Sequence, residues 1–111
     1  MITNITRKAI LAKQHTLCTS AISKAIGLMF ALKPKALVFA FSKPARISLH
    51  MLFVFFPIDV IYLDSKMRVV EIKESFKPFT FYTPKRKASF VIELPAGSAK
   101  GSKLGDIIEL R

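Results

Sequence analysis

The longest nearly uncharged run of the chain, residues 50–64 (HMLFVFFPIDVIYLD), sets the hydrophobic pattern for the rest. Arg46 and Asp59 bracket only twelve uncharged residues, too few to cross a bilayer. β-Branched and aromatic residues dominate the run, which predicts two buried strands broken at Pro57, because proline donates no ladder hydrogen bond. In the second of these, Ile58, Val60 and Tyr62 face one way and Asp59, Ile61 and Leu63 the other. Both faces are mostly apolar, the pattern of a strand covered on both sides.

The same reading extends along the chain. Residues 2–17 mix apolar and polar positions without a clean period and predict an N-terminal strand or two. From Ser20, Ala21-Ile22 and Ala25-Ile26 recur at helical spacing, so a short helix is expected, with Gly27 near its end where a left-handed residue is commonly needed. Residues 36–41 (ALVFAF), bounded by Pro34 and Pro44, read as a buried strand, and alternation at residues 47–50 begins another. After a hairpin turn at Ser65-Lys66, residues 68–73 alternate as a strand. Pro78 and Pro84 punctuate an extended aromatic segment, residues 89–94 (SFVIEL) form a strand stopped by Pro95-Ala96-Gly97, and a closing strand follows Gly105-Asp106. The expected class is mostly β (α+β): one domain over residues 1–111, a barrel-like fold of six or seven short strands with one short helix.

Composition changes this picture in two respects. An apolar fraction of 51% and a mean hydropathy of +0.38 are high, yet no segment approaches eighteen apolar residues, and the charged start is not a secretory signal. The single cysteine, Cys18, excludes an internal disulfide framework and fits a reducing cytoplasm. The net charge of +11 is unevenly placed: residues 1–58 hold eight of the eighteen Lys and Arg and no acid, while all seven acids lie at Asp59 or later. Such a surface would attract polyanions, whether nucleic acid, anionic lipid or a phosphorylated ligand. The plain alternative is that the charge only keeps an apolar small protein in solution.

Four polar residues stand inside or beside apolar strands: His50, Asp59, Glu93 and Asp106. A carboxylate among apolar neighbours costs free energy unless it is paired, so each asks for an explanation. The functional reading gathers Asp59, Glu93, Gly97 and Asp106, with His50, at one rim as a ligand-binding site. Gly97 and Gly105 would there turn backbone amides toward the ligand or the carboxylates. The bland reading makes each acid a local cap. Lys85, Arg86 and Lys87, near Tyr82, Phe79 and Phe81, interleave base and aromatic as single-stranded nucleic acid requires. Residues 97–103 (GSAKGSK) fail the register of a phosphate loop. His15 and Cys18 have a ligand-like spacing but no second pair, so no metal and no cofactor is expected. No complete nucleophile–base set can be assembled from spacing.

Six motifs in order carry a family likeness: Gly27-Leu28-Met29-Phe30; Ala36-Leu37-Val38-Phe39; His50-Met51 with Phe55-Phe56-Pro57-Ile58-Asp59-Val60; Val69-Val70-Glu71; Glu93-Leu94-Pro95-Ala96-Gly97; and Gly105-Asp106. Over about residues 20–110 the chain resembles domain-of-unknown-function family 192, also called uncharacterised protein family 0127, in its archaeal-type branch. The resemblance implies a compact, mostly β domain and brings no established activity. Many bacterial relatives carry Trp-Met-Lys-Asn-Thr in the region of His50-Met51, and members often flank the Gly-Leu-Met-Phe motif with arginines. Here the flanks are Ile26 and Ala31, so an anion grip by those arginines does not carry over. The leading expectation is a non-enzymatic binding module for a small molecule or protein. RNA or single-stranded nucleic-acid binding is the alternative, and a small enzyme using His50 with Asp59, Glu93 or Asp106 comes third.

Overall fold

The computed structural model describes residues 1–20 and 27–111. Their elements are strands: β1 (Ile2–Asn4), β2 (Ala9–Ala12), β3 (Thr16–Cys18), β4 (Leu37–Ala45), β5 (Leu49–His50), β6 (Ile58–Leu63), β7 (Val69–Phe76), β8 (Phe81–Tyr82), β9 (Ala88–Pro95) and β10 (Ile108–Leu110). They form a five-stranded sheet in the order β3-β4-β9-β6-β7, a three-stranded sheet β10-β1-β2 and a ribbon β5-β8. All pairings are antiparallel except β3 with β4.

Strand β6 sits inside the larger sheet, and all six of its residues are buried. Ile58, Val60 and Tyr62 join a core with Leu37, Phe39, Met51 and Val91, while Ile61 and Leu63 join a second core with Ile2, Val38, Ile92 and Leu94. Side chains alternate across a strand, so the central sheet carries one core on each face. The period-two reading of this strand therefore holds.

The barrel-like α+β expectation is corrected: the architecture is all-β among the described residues, with open sheets. Strands β3 and β7 end the five-stranded sheet, and among the described residues an isolated bridge, Arg68 to Ile107, and the bond from Gly105 N–H to the Val69 carbonyl, but no ladder, join β7's start to the segment leading into β10. No ring of ladders closes. No helix occurs among the described residues, and the centre of the expected helix, residues 21–26, lies outside them. Gly27 does take a left-handed φ of 50°. The predicted strand before Pro57 is also corrected. Val54 N–H donates back to the Met51 carbonyl (3.2 Å) and Phe53 has φ 57°, so residues 51–56 form a turn and not a ladder. Met51 and Val54 point inward from it, leaving Leu52, Phe53 and Phe55 outside.

Candidate functional site

One cavity, of about 360 Å³, opens against the face of the central sheet that carries Phe39 and Val60. Strand β4 contributes Phe39 and Phe41, residues 47–51 and Val54 supply another wall, and residues 27–29 a third. Its size falls in the range of small-molecule sites, and most of the lining is apolar. The Glu93 carboxyl lines it as well.

Register explains why Glu93 faces this space. In β9 it pairs with Val60 on one side and Leu37 on the other, both members of the core on the cavity's face. Glu93 is 7% exposed, and its side chain reaches the cavity. Burial pushes its pKa up from 4.5 to about 7, since an apolar surrounding disfavours the charged form. Nearby on the same face, the Tyr62 hydroxyl is buried without a partner among the described residues. Burial pushes the Tyr62 phenol upward, reinforced by Tyr82, Glu71 and Glu93.

The other sequence-predicted residues divide by face. Asp59 pairs with Leu94, next to the Val60–Glu93 pair, so its side chain leaves the opposite side of the sheet. There its carboxylate accepts from the amides of Ser75 (3.0 Å), Gly97 (2.9 Å) and Ala99 (2.9 Å). Gly97 has φ 93°, which turns its N–H toward Asp59. Asp106 grips the same loop further on, accepting from Lys103 N–H (2.8 Å), Asn4 Nδ2 (2.9 Å) and Arg7 Nε (3.1 Å). The Arg7 guanidinium, with the bonds from Asn4 and Lys103, holds the Asp106 carboxyl down at about 2. Asp59, Gly97 and Asp106 thus come together around residues 97–106, while His50 and Glu93 line the cavity on the other face. The five residues do not share one rim.

His50 Nδ1 accepts from Leu52 N–H (3.2 Å), and no carboxylate orients its ring among the described residues. An acid–base pair of His50 with Asp59 or Asp106 has no geometric support. Lys85, Arg86 and Lys87 are exposed, but the Lys85 and Arg86 amides donate to Glu71 Oε1 (2.9 and 3.0 Å), fixing that turn. Tyr82 gives its hydroxyl to Glu71, and the Lys73 ammonium lies 5.3 Å from its ring centroid. Its pKa rises to about 12 through burial and the bond to Glu71. Tyr82 is therefore a poor stacking platform for a base. No cluster of three His, Cys, Asp or Glu residues suited to a metal occurs among the described residues, and no helix among them is long and apolar enough to cross a membrane.

Sequence reasoning missed an aromatic cluster bordering the cavity. The Phe30 and Phe53 rings stack at 4.9 Å, and Phe79 meets Phe53 at 6.1 Å and Phe55 at 5.6 Å, edge to face. Hydrophobic pattern counts such residues as core. The signal that could have separated them is their place in short segments punctuated by Gly27, Pro57 and Pro78.

Comparison with known proteins agrees with the motif reading. The family model DUF192, described as Uncharacterized ACR, matches residues 3–110. A UPF0127 protein of Pyrococcus horikoshii is 38% identical over 98% of this chain and 97% of its own length. Another, of Pyrococcus furiosus, is 34% identical over 96% and 94%. The crystal structure of a protein of unknown function from Novosphingobium aromaticivorans superposes with a TM-score of 0.80 at 25% identity, covering 86% of this chain and 74% of that one.

Proposed function

Because this chain belongs to the DUF192 (UPF0127) family, whose matched members carry no assigned chemistry, we propose from its own cavity that it is a non-enzymatic binding module for a small molecule. The observation that carries the reading is Glu93, a largely buried acid whose side chain lines an apolar cavity of about 360 Å³ and whose pKa burial raises to about 7. A buried carboxyl left unsatisfied is destabilising, and a ligand that satisfies it recovers that loss on binding. The ligand class follows from the two parts of the site. Apolar walls take an apolar body, and Glu93 takes one hydrogen-bonding or cationic head, with a primary amine the best match because it converts a marginal carboxyl into an ion pair. A carboxylic acid of the same shape would place two like charges together and is rejected.

Thermal shift at neutral pH with a panel of alkyl and aryl amines, each against its isosteric acid, tests this. Amines should stabilise the protein, by about 2.7 kcal/mol at a hundredfold excess over Kd, and acids should not. Glu93→Gln should erase the difference. Equal shifts from amines and acids, or shifts unchanged in Glu93→Gln, would sink the assignment.

A further inference from the structure

We propose that the aromatic cluster beside the cavity is a docking surface for an anionic lipid bilayer. Phe30, Phe53, Phe55 and Phe79 are 64%, 45%, 61% and 50% exposed, and none belongs to either core. Their ring contacts with one another make one continuous apolar patch. Contiguous exposed aromatic surface marks an interaction site, whereas single exposed apolar residues do not.

The backbone shows that this display is built. Phe30, Phe53 and Phe79 have φ of 62°, 57° and 58°, a left-handed conformation that bulky residues rarely adopt. Hydrogen bonds between the three segments hold it: Phe30 N–H to the Phe53 carbonyl, Phe79 N–H to the Met51 carbonyl, and Met51 N–H to the Thr80 carbonyl, each 2.8 Å. Asparagine or glycine would occupy these positions with less strain. Strained residues persist where the surrounding structure over-determines them, and they cluster at functional sites.

Charge selects the partner. The segments carrying the rings also carry Lys33, Lys35 and Lys77, all exposed, and no acid. Exposed aromatic rings with exposed lysines close by in sequence match the interfacial zone of a bilayer, where rings sit at headgroup depth and lysines meet anionic lipid. Two of the ring-bearing segments also wall the cavity, through Met29 beside Phe30 and Val54 between Phe53 and Phe55. The docking itself rests on the rings and lysines and stands apart from the ligand assignment.

Cosedimentation with vesicles of phosphatidylglycerol and phosphatidylcholine in equal parts, against phosphatidylcholine alone, tests it. Binding should favour the anionic vesicles, fall as salt rises, and drop about fivefold for each of Lys33→Gln, Lys35→Gln and Lys77→Gln. Phe53→Asn with Phe79→Asn should remove binding while keeping or raising Tm, because asparagine suits the left-handed backbone; this separates a lost surface from a lost fold. The chain has no tryptophan, so Phe55→Trp adds a reporter whose emission should shift to the blue on the vesicles. Equal binding to neutral vesicles, or binding that survives the asparagine pair, overturns the proposal. So does ring-dependent binding to single-stranded RNA, or ring-dependent self-association, without vesicle binding.

Discussion

Glu93 and Asp106 titrate with opposite consequences. The unfolded chain releases the Glu93 proton near the ordinary 4.5, the folded chain near 7. Between those values the unfolded state binds fewer protons, so stability falls as pH rises and the loss is complete above about 7, on the order of 3 kcal/mol. Thermal melts from pH 4 to 8 should show this descent, and Glu93→Gln should flatten it and raise Tm at the alkaline end. Asp106 runs the other way. Its folded pKa of about 2 lies below the ordinary 3.8, so its contribution is present above that ordinary value and is lost as pH falls toward 2. Asp106→Asn should therefore weaken the protein at neutral pH and flatten the acid limb of melts extended down to pH 2. Tyr62→Phe, which removes a buried hydroxyl without a partner, should leave Tm unchanged or raise it by an amount equivalent to ~1 kcal/mol.

At the level of elements, β6 and β9 were the parts most legible in the sequence, because a strand between two cores shows apolar residues at both parities. The turn at residues 51–56 was not legible. Its composition is that of a strand, and nothing in the order of Leu52, Phe53, Val54 and Phe55 says that two of these rings face outward. Open sheets were mistaken for a barrel because edge pairing between distant strands leaves no mark on local periodicity. Parity divides the candidate rim: Asp59 and Glu93 both stand in apolar strands, but Asp59 opposes Leu94 and Glu93 opposes Val60, which sends them to opposite faces. What Asp59 does instead is hold residues 97–99 to the sheet. Asp59→Ala leaves three amides without their acceptor and should cost about 2–4 kcal/mol. Hydrogen exchange should quicken first at Gly97 and Ala99. Protection there that matches the parent protein would show the loop is held by other means.

Over the whole molecule, positive charge is poorly compensated. The acids are largely engaged: Asp59, Asp64, Glu71, Asp106 and Glu109 all hold amides, hydroxyls or guanidinium groups. Eighteen bases share seven acids within a radius of gyration of 12.6 Å, well inside the screening length of ~30 Å at 0.01 M salt but beyond the ~8 Å of physiological salt. Self-repulsion at that range opposes the compact state. Tm should therefore rise as sodium chloride is added from a few millimolar to physiological strength. A Tm that falls over this range would mean that the surface ion pairs outweigh the repulsion.

Strand β1 lies in the middle of its sheet and takes one neighbour from each extreme of the chain, Ile2 facing Ala12 on one side and Leu110 on the other. During synthesis the first pairing is available almost at once, but the second waits until β10 has been made. The loop it then closes spans nearly the whole chain, and long-range β pairing of this kind places folding toward the millisecond-to-second range. Until that moment Ile2, fully buried in the finished fold, remains wet beside an apolar and strongly basic nascent chain. Synthesis of β10 is thus the event on which completion of the smaller sheet turns, and the interval before it is when the chain most needs protection from its neighbours.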